Sequence, residues 1–165
     1  MDPLYYNGEL IRAEEWDVGP NRLYSENYVY QHLHTFAHKP LHIATHIEIL
    51  KEATRTVFGE EIRLDIRELN AAVETLLKAG RYPLESNQVT VYVYPQGLRD
   101  EGEAVWMLEA TAQLFYPRYQ LRNTRPLLET FPFPHAWSGF PTAASRAASA
   151  CARDAVRRSG AEIAV

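Results

Sequence analysis

Alternating residue types predict β-strands in the first 115 residues of the chain. Between residues 27 and 35, tyrosine and histidine occupy the even positions, while the odd positions include Val29 and Leu33. A period of two is typical of a strand whose two sides meet different surroundings. Similar patterns predict strands at Leu4–Tyr6, Glu9–Ile11, 88–94 and 104–115, and a short extended segment at 41–44. Asn-Gly at positions 7 and 8 favours a two-residue hairpin turn between the first two strands.

A helical period follows at residues 45–58. Thr45 and Glu48 have the spacing of a capping box, in which each side chain bonds a free backbone N–H of the first turn. Apolar residues then recur every three or four positions, and Gly59 supplies a residue suited to the left-handed conformation at a helix end. The sequence therefore predicts a helix over 45–58 with one apolar face.

Two more helices are predicted by the same signals. Asp65 and Glu68 repeat the capping pattern before an apolar stripe at 65–79. An alanine-rich helix is predicted at 143–158. Since the first two helices each have one apolar stripe, both are expected to pack on one face of a shared sheet.

These elements predict an α+β fold, with a small mixed or antiparallel sheet and two helices on one of its faces. The predicted small domain is 1–118. A proline-rich interdomain linker follows at 119–140, because proline interrupts regular elements. Residues 141–165, a helix and a strand that begins near position 161, are expected to be the incomplete beginning of a second, larger domain.

Composition and charge narrow the class of protein. The 165 residues carry 17 basic and 21 acidic side chains, a formal charge of −4, which argues against binding to a nucleic-acid backbone. No apolar run is long enough to span a membrane, and the N-terminal residues do not have the layout of a signal peptide. A cytoplasmic protein is therefore expected. Cys151, the one cysteine, is expected to be a buried thiol within the alanine-rich helix.

Three stretches carry a resemblance to a known family. Residues 26–31 read Glu-Asn-Tyr-Val-Tyr-Gln, 39–40 read Lys-Pro and 45–50 read Thr-His-Ile-Glu-Ile-Leu. They resemble the class IV aminotransferases, in which a Gly-Asp-Gly-Val-Phe-Glu-like strand leads through Lys-Pro to a helix with Glu-His-x-x-Arg-Leu. The stretch from Phe140 to Ser145 is similar to the entry of that family's large domain.

The resemblance implies an activity, and this chain departs from the family pattern in three places. Family members, which include the branched-chain and D-amino-acid aminotransferases and aminodeoxychorismate lyase, form homodimers. They use pyridoxal phosphate, held as a Schiff base on a lysine, to transfer an amino group between an amino acid and a 2-oxo acid. The matching lysine falls near 142–145, where this chain has none. The helix arginine that binds the cofactor phosphate is replaced by Ile49, and the strand glutamate by Gln31.

The resemblance also names candidate substrate-binding residues. Tyr30 and His32 lie on the strand face that lines the substrate cavity in the family, and Arg99 lies where some relatives have an arginine for the substrate carboxylate. No catalytic residue is assigned, and the cofactor-binding residues of this chain are unknown. Lys39, Lys51 and Lys78 are the only lysines, and each is predicted to be a surface residue.

Five histidines lie between positions 32 and 46, which raises the alternative of a metal site. His32 and His34 on one strand face are a legitimate pair of ligands. The sequence offers no cysteine and no well-placed carboxylate as a third ligand. We therefore predict no metal site, and a histidine-based metal protein is the weakest of three functional hypotheses.

Two functional hypotheses remain open at the level of sequence. The first is a class IV aminotransferase-like protein whose full-length relatives carry out pyridoxal-phosphate-dependent amino transfer. The second is a catalytically inactive member, a pseudoenzyme, that serves as a ligand-binding or dimeric interaction module. In both, the expected partners are a small amino acid or 2-oxo acid and a second copy of the chain, without nucleic acid or membrane. Lysine chemistry discriminates between the two hypotheses, because transfer of the cofactor to substrate needs an amine.

Overall fold

The computed structural model describes residues 2–15, 27–97, 103–112, 128–129, 139–159 and 163–164. The chain divides into two compact units, Met1–Gln113 and Leu114–Val165. The finer division into 1–118, 119–140 and 141–165 stays a prediction.

The first unit alternates strands with two helices. Its helices are α1, Ile43–Phe58, and α2, Ile66–Ala79. A single 3-10 turn covers Ala13–Glu15. The strands are β1 (Leu4–Tyr6), β2 (Glu9–Ile11), β3 (Val29–Phe36), β4 (Lys39–Pro40), β5 (Asn87–Tyr94) and β6 (Val105–Ala112).

All six strands form one sheet in the order β2-β1-β6-β5-β3-β4. Every described pairing in it is antiparallel, and β5 pairs along its whole length with β6 and along most of it with β3. Helix α1 packs against β3, and α2 against β1, β4 and β6. The predicted α+β fold is confirmed, and the sheet is antiparallel rather than mixed.

The predicted hairpin between β1 and β2 is confirmed. Asn7 and Gly8 have φ values of 45° and 93°, the left-handed conformation that both central positions of this turn require. Tyr6 pairs with Glu9 directly across it. Local turn chemistry is therefore sufficient to locate this hairpin.

A second hairpin, between β3 and β4, was not predicted. Its turn residues Ala37 and His38 have φ values of 50° and 60°, although alanine is not a residue type that favours positive φ. Contacts with another loop hold the turn: the Ala37 N–H donates to the Leu84 carbonyl at 2.7 Å, and His38 Nε2 lies 2.9 Å from the Tyr82 carbonyl. The predicted extended segment at 41–44 is wrong, because residues 41 and 42 form a turn and α1 begins at Ile43.

Helix α1 starts earlier than predicted. Its N-cap is His42, with φ 53° and no side-chain cap bond, so the predicted capping box of Thr45 and Glu48 is wrong. The C-terminal cap of α1 is at Gly59, as predicted. Gly59 has φ 74° and its N–H donates to the Arg55 carbonyl, the left-handed C-terminal cap that glycine permits at low cost.

Asp65 is the N-cap of helix α2, as predicted. The carboxylate accepts hydrogen bonds from the backbone N–H groups of Arg67 at 2.8 Å and Glu68 at 3.1 Å. These bonds favour the charged carboxylate and lower the pKa of Asp65. The N-terminal cap of α2 therefore depends on the ionisation of the Asp65 carboxyl group.

The end of α2 depends on close packing rather than on a left-handed glycine. Gly80 has φ −77°, but a Cβ on it would lie 2.7 Å from Cδ2 of Tyr82 and closer still to Cε2. The Tyr82 hydroxyl lies 2.7 Å from the Ala110 carbonyl and 2.9 Å from the Asp2 carboxylate. Burial, followed by the Asp2 hydrogen bond and charge, raises the pKa of Tyr82.

The second unit contains helix α3, Ala143–Ser159, and a short parallel pair of β7, Leu128–Glu129, with β8, Ile163–Ala164. Thr142 and Ser145 exchange side-chain-to-backbone hydrogen bonds at the start of α3, of 2.8 and 3.3 Å. The alanine-rich helix is confirmed. Cys151 is exposed, so the prediction of a buried thiol is wrong: the alanines of this helix are too small to mark its apolar side clearly in the sequence.

Candidate functional site

The two sides of the sheet carry different side chains because of the alternation along β3. Gln31 points towards α1, where its Oε1 accepts a hydrogen bond from His46 Nδ1 at 3.1 Å. Its neighbours Tyr30 and His32 therefore point to the opposite side. We call the side that packs on α1 and α2 the helix side.

The opposite side is rich in tyrosine. Register places Tyr30 directly across from Tyr92, with Tyr28 and Tyr94 beside them. We call the surface formed by these four tyrosines and His32, together with the side chains that contact them on β5 and β6, the tyrosine face. It is the candidate functional site of the first unit.

The tyrosine rings support one another. Tyr28 meets Tyr92 and Tyr94 edge to face, with ring centroids 5.3 and 5.6 Å apart, an arrangement that complements the charge distribution of aromatic rings. Tyr28, Tyr92 and Tyr94 are buried, whereas Tyr30 is half-buried and His32 is exposed. Tyr30 and His32 are thus the accessible part of a rigid aromatic layer.

Polar contacts on the tyrosine face run from strand to strand. His32 Nδ1 lies 2.9 Å from the Thr90 hydroxyl and 3.1 Å from Gln88 Nε2. The Tyr92 hydroxyl donates to the Glu109 carboxylate at 2.8 Å. His34, next to His32 on this face, is hydrogen-bonded through Nε2 to the Ser86 hydroxyl. The face can therefore offer hydroxyl, imidazole and carboxylate groups in fixed positions.

The structure brings together two of the three predicted site residues. Tyr30 and His32 are in contact, with ring centroids 5.1 Å apart. Arg99 lies outside the described residues. Sequence reasoning missed Gln88 and Glu109 as part of the site, although the alternation of β5 already placed Thr90, Tyr92 and Tyr94 on one side of that strand.

Two of the three lysines lie on the helices. Lys78 donates a hydrogen bond to Glu74 at 2.5 Å on α2. That bond, the Lys78 charge and the charge of Lys39 lower the pKa of Glu74. Lys39 itself is on the edge strand β4, paired with Phe36. Lys51 lies 4.0 Å from Glu48 on α1. The prediction that Lys51 and Lys78 are surface residues on polar helix sides is confirmed.

Neither a metal site nor a membrane span is found in the part of the chain that the structure describes. No three side chains among its histidine, cysteine, aspartate and glutamate residues are grouped to hold a metal ion. None of its helices combines the length and the apolar character needed to cross a bilayer.

Comparison with known proteins gives a clear result only at the level of structure. No protein-family model and no curated protein sequence matches this chain. Solved branched-chain aminotransferases do match: that of Thermoproteus uzoniensis with a TM-score of 0.72 at 16% identity, and that of Escherichia coli with 0.70 at 13%. Both matches cover 99% of this chain. The chain has the class IV aminotransferase fold.

The class IV fold confirms the resemblance found in the sequence. A third similar structure, from Thermobaculum terrenum, has a TM-score of 0.72 at 14% identity over 99% of the chain. This chain spans only 58%, 57% and 56% of the Thermoproteus, Escherichia and Thermobaculum proteins. Two other similar aminotransferase structures contain N-(5'-phosphopyridoxyl)-L-glutamate and pyridoxamine 5'-phosphate.

The residues present do not fit pyridoxal phosphate as class IV enzymes hold it. That attachment needs a lysine amine at the cofactor. Lys51 and Lys78 lie beside carboxylates on the helices, and Lys39 is on the edge strand β4, so none of the three belongs to the tyrosine face. Thr142 and Ser145, in the stretch where the family lysine is expected, are bonded to each other. Ile49, at the position of the phosphate-binding arginine, is an exposed aliphatic residue and has no donor for a phosphate.

Proposed function

We propose that the chain is a catalytically silent relative of the class IV aminotransferases. In this proposal it binds a small amino acid or 2-oxo acid at the tyrosine face, through Tyr30 and His32. The observation that carries the proposal is the position of the lysines, since none lies on the tyrosine face. It would act as a ligand-binding or interaction module and not as a transferase.

The engagement of the lysines supports this proposal. An amine that attacks a carbonyl must be unprotonated and within reach of it, and a neighbouring carboxylate favours the protonated form. Lys78 is hydrogen-bonded to Glu74 and Lys51 lies beside Glu48. Both pairs lie at exposed positions of the helices.

The tyrosine face supports the ligand-binding part of the proposal. Tyr30 and His32 are accessible, and Tyr30 is in ring contact with the buried Tyr28 and Tyr92 beside it. Hydroxyl and imidazole groups can bond the carboxylate and carbonyl oxygens of a small acid. A preformed surface of this type binds without a large cost of ordering side chains.

The competing function is pyridoxal-phosphate-dependent amino transfer, which the class IV fold itself favours. It requires that one of Lys39, Lys51 and Lys78 attach the cofactor, and therefore that a lysine outside the tyrosine face serve the site. Whether pyridoxal phosphate attaches to a lysine of this chain therefore distinguishes the two proposed functions.

The experiment is incubation of the purified protein with pyridoxal phosphate, followed by dialysis, a visible spectrum, borohydride reduction and intact-mass measurement. We expect a spectrum of bare protein and an unchanged mass. The three variants Lys39→Arg, Lys51→Arg and Lys78→Arg are matched controls, because each keeps the charge and removes the reactive amine. A reduced cofactor adduct that disappears in one of these variants contradicts the proposal.

A ligand titration tests the second part. With 2-oxobutanoate and L-2-aminobutyrate as probes, NMR shifts should centre on Tyr30 and His32, and Tyr30→Ala should weaken binding. Leu84→Ala, an exposed apolar residue in the loop before β5, serves as the control. Shifts that leave β3 unchanged would rule out the tyrosine face as the binding surface.

The proposal also includes a homodimer in the cytoplasm, with the domain limits 1–118, 119–140 and 141–165 predicted from the sequence. Light scattering after size-exclusion chromatography measures the mass of the assembly. A monomer at all tested concentrations would contradict the dimer and leave the ligand-binding proposal intact.

A further inference from the structure

Charged side chains of alternating sign form a row on the exposed side of α1. Glu48 and Arg55 each lie three or four residues from both Lys51 and Glu52, so all four are neighbours on the helix surface. We call this row the charged stripe. Within the chain, Lys51 lies 4.0 Å from Glu48, and Arg55 is hydrogen-bonded to Glu52. The exposed fractions of the four side chains range from 42% to 77%, so both pairs are open to solvent.

A groove of about 430 Å³ lies along the charged stripe. On its other side is the segment that connects α1 to α2. The residues that line the groove are Glu48, Lys51, Glu52, Arg55, Glu61 and Ile62. Five of these six side chains are charged, so an occupant of the groove is selected by complementary charge and not by apolar area.

The order of charges in the stripe is complementary to its own reverse. In a two-fold symmetric dimer, the same surface of each chain contacts the other. If two α1 helices cross antiparallel between residues 51 and 52, Glu48 faces Arg55 of the second copy, and Lys51 faces Glu52 of the second copy. Both pairs then join opposite charges. A parallel arrangement would place each residue opposite its own copy, and thus like charge against like charge.

We infer that the charged stripe of α1 is the contact surface between two copies of this chain, arranged antiparallel about a two-fold axis. The inference rests on the homodimer of the proposed function and adds where the copies meet. Ion pairs at exposed positions each contribute little, so the dimer is weak. It also weakens as salt is added, because the Debye length shortens from about 10 Å at 0.1 M salt to about 3 Å at 1 M.

Reversal of single charges, followed by sedimentation velocity of the full chain, tests this contact. Arg55→Glu places a second carboxylate opposite Glu48, and Glu48→Arg places a second guanidinium opposite Arg55. Since each contact occurs twice in a symmetric dimer, each variant should raise the dissociation constant by about tenfold or more at low salt. Lys78→Glu is the matched control, because it reverses one charge of the exposed Glu74–Lys78 pair on α2. It should leave the dissociation constant unchanged.

An equimolar mixture of the two variants gives the sharpest result. In a mixed pair, Glu48 of one chain meets Arg55 of the other, and the two introduced side chains meet each other with opposite charges. The mixture should therefore dimerise more tightly than either variant does alone. Such a recovery also shows that both variants are folded.

Three results would overturn the inference. A mixture that dimerises no better than the separate variants contradicts the pairing of Glu48 with Arg55. If the unmodified chain forms a dimer that is unaffected by both variants or by salt, the copies meet elsewhere and the proposed homodimer stands. A monomer at all tested concentrations overturns both the contact and the homodimer, and leaves ligand binding at the tyrosine face intact.

Discussion

The two sides of the sheet are formed by the same strands but carry different kinds of side chain. On the helix side, Val29, Leu33 and Val91 are fully buried beneath two amphipathic helices. On the tyrosine face, the alternate positions carry rings and polar groups that bond one another across strands. Burial of aliphatic area stabilises the fold, so the opposite side is free to carry chemistry. A fold of this kind can thus be kept while the side chains on its opposite side change.

The sharpest test of this comparison exchanges adjacent residues of β3 for alanine. Leu33→Ala removes a fully buried side chain and should lower the free energy of unfolding by about 2–5 kcal/mol. His32→Ala, on the tyrosine face, should cost less than about 1 kcal/mol. Urea unfolding measures both. Equal losses would show that the tyrosine face stabilises the unit as much as the helix side does.

A smaller effect is expected for Gly80→Ala at the end of α2. The added methyl group would overlap the Tyr82 ring, which is held by contacts at its hydroxyl. Such overpacking costs about 1–3 kcal/mol. Thermal unfolding of Gly80→Ala in a Tyr82→Ala background provides the control, because the clash is then gone and alanine favours the helical conformation of residue 80. A loss that persists in that background would contradict the steric cause.

Asp65→Ala tests the capping of α2 and its dependence on pH. The hydrogen bonds lower the pKa of Asp65 in the folded protein, so this carboxylate stabilises the fold above its ordinary pKa. That stabilisation is lost as the pH falls through the lowered value. Asp65→Ala should therefore lower the unfolding midpoint at pH 7, and the difference should vanish in acid. A difference that is constant over this range would separate capping from ionisation.

The smallest effect concerns His46 on the helix side. Burial, with a further contribution from His42, lowers the pKa of His46. Since the unfolded chain binds this proton more readily, stability is complete above the ordinary pKa of histidine and declines as the pH falls below it. NMR titration should give His46 a midpoint below about 6.5, and His42→Ala should raise it. A midpoint that does not respond to His42→Ala would assign the shift to burial alone.

Local signals predicted the parts of the fold that local chemistry determines. Asn7-Gly8 located one hairpin and Asp65 the start of α2, because each residue type satisfies its own backbone. The turn at Ala37 and His38 was missed, since it depends on carbonyl groups of Tyr82 and Leu84 more than forty residues away. The propensities of the turn residues contain no information about contacts with residues so distant in the sequence.

The candidate site was likewise predictable only where the local pattern of residues determines it. The period of a strand placed Tyr30 and His32 on one side, and the resemblance identified that side as the site. Gln88 and Glu109 were missed because their places depend on register between strands: Gln88 reaches His32 across 56 positions of sequence. The absence of a lysine from the expected stretch was visible in the sequence, whereas the location of the three lysines outside the tyrosine face required the fold.

The hairpin at Ala37 and His38 has a consequence for the order of folding. Ala37 does not favour its own conformation, so the hairpin has little reason to form in an isolated segment. We expect it to become stable only once the loop at Tyr82 and Leu84 lies alongside it. The β1–β2 turn can nucleate from its own dipeptide, whereas we expect β4 to join the sheet late, because its stabilising contacts are distant in the sequence.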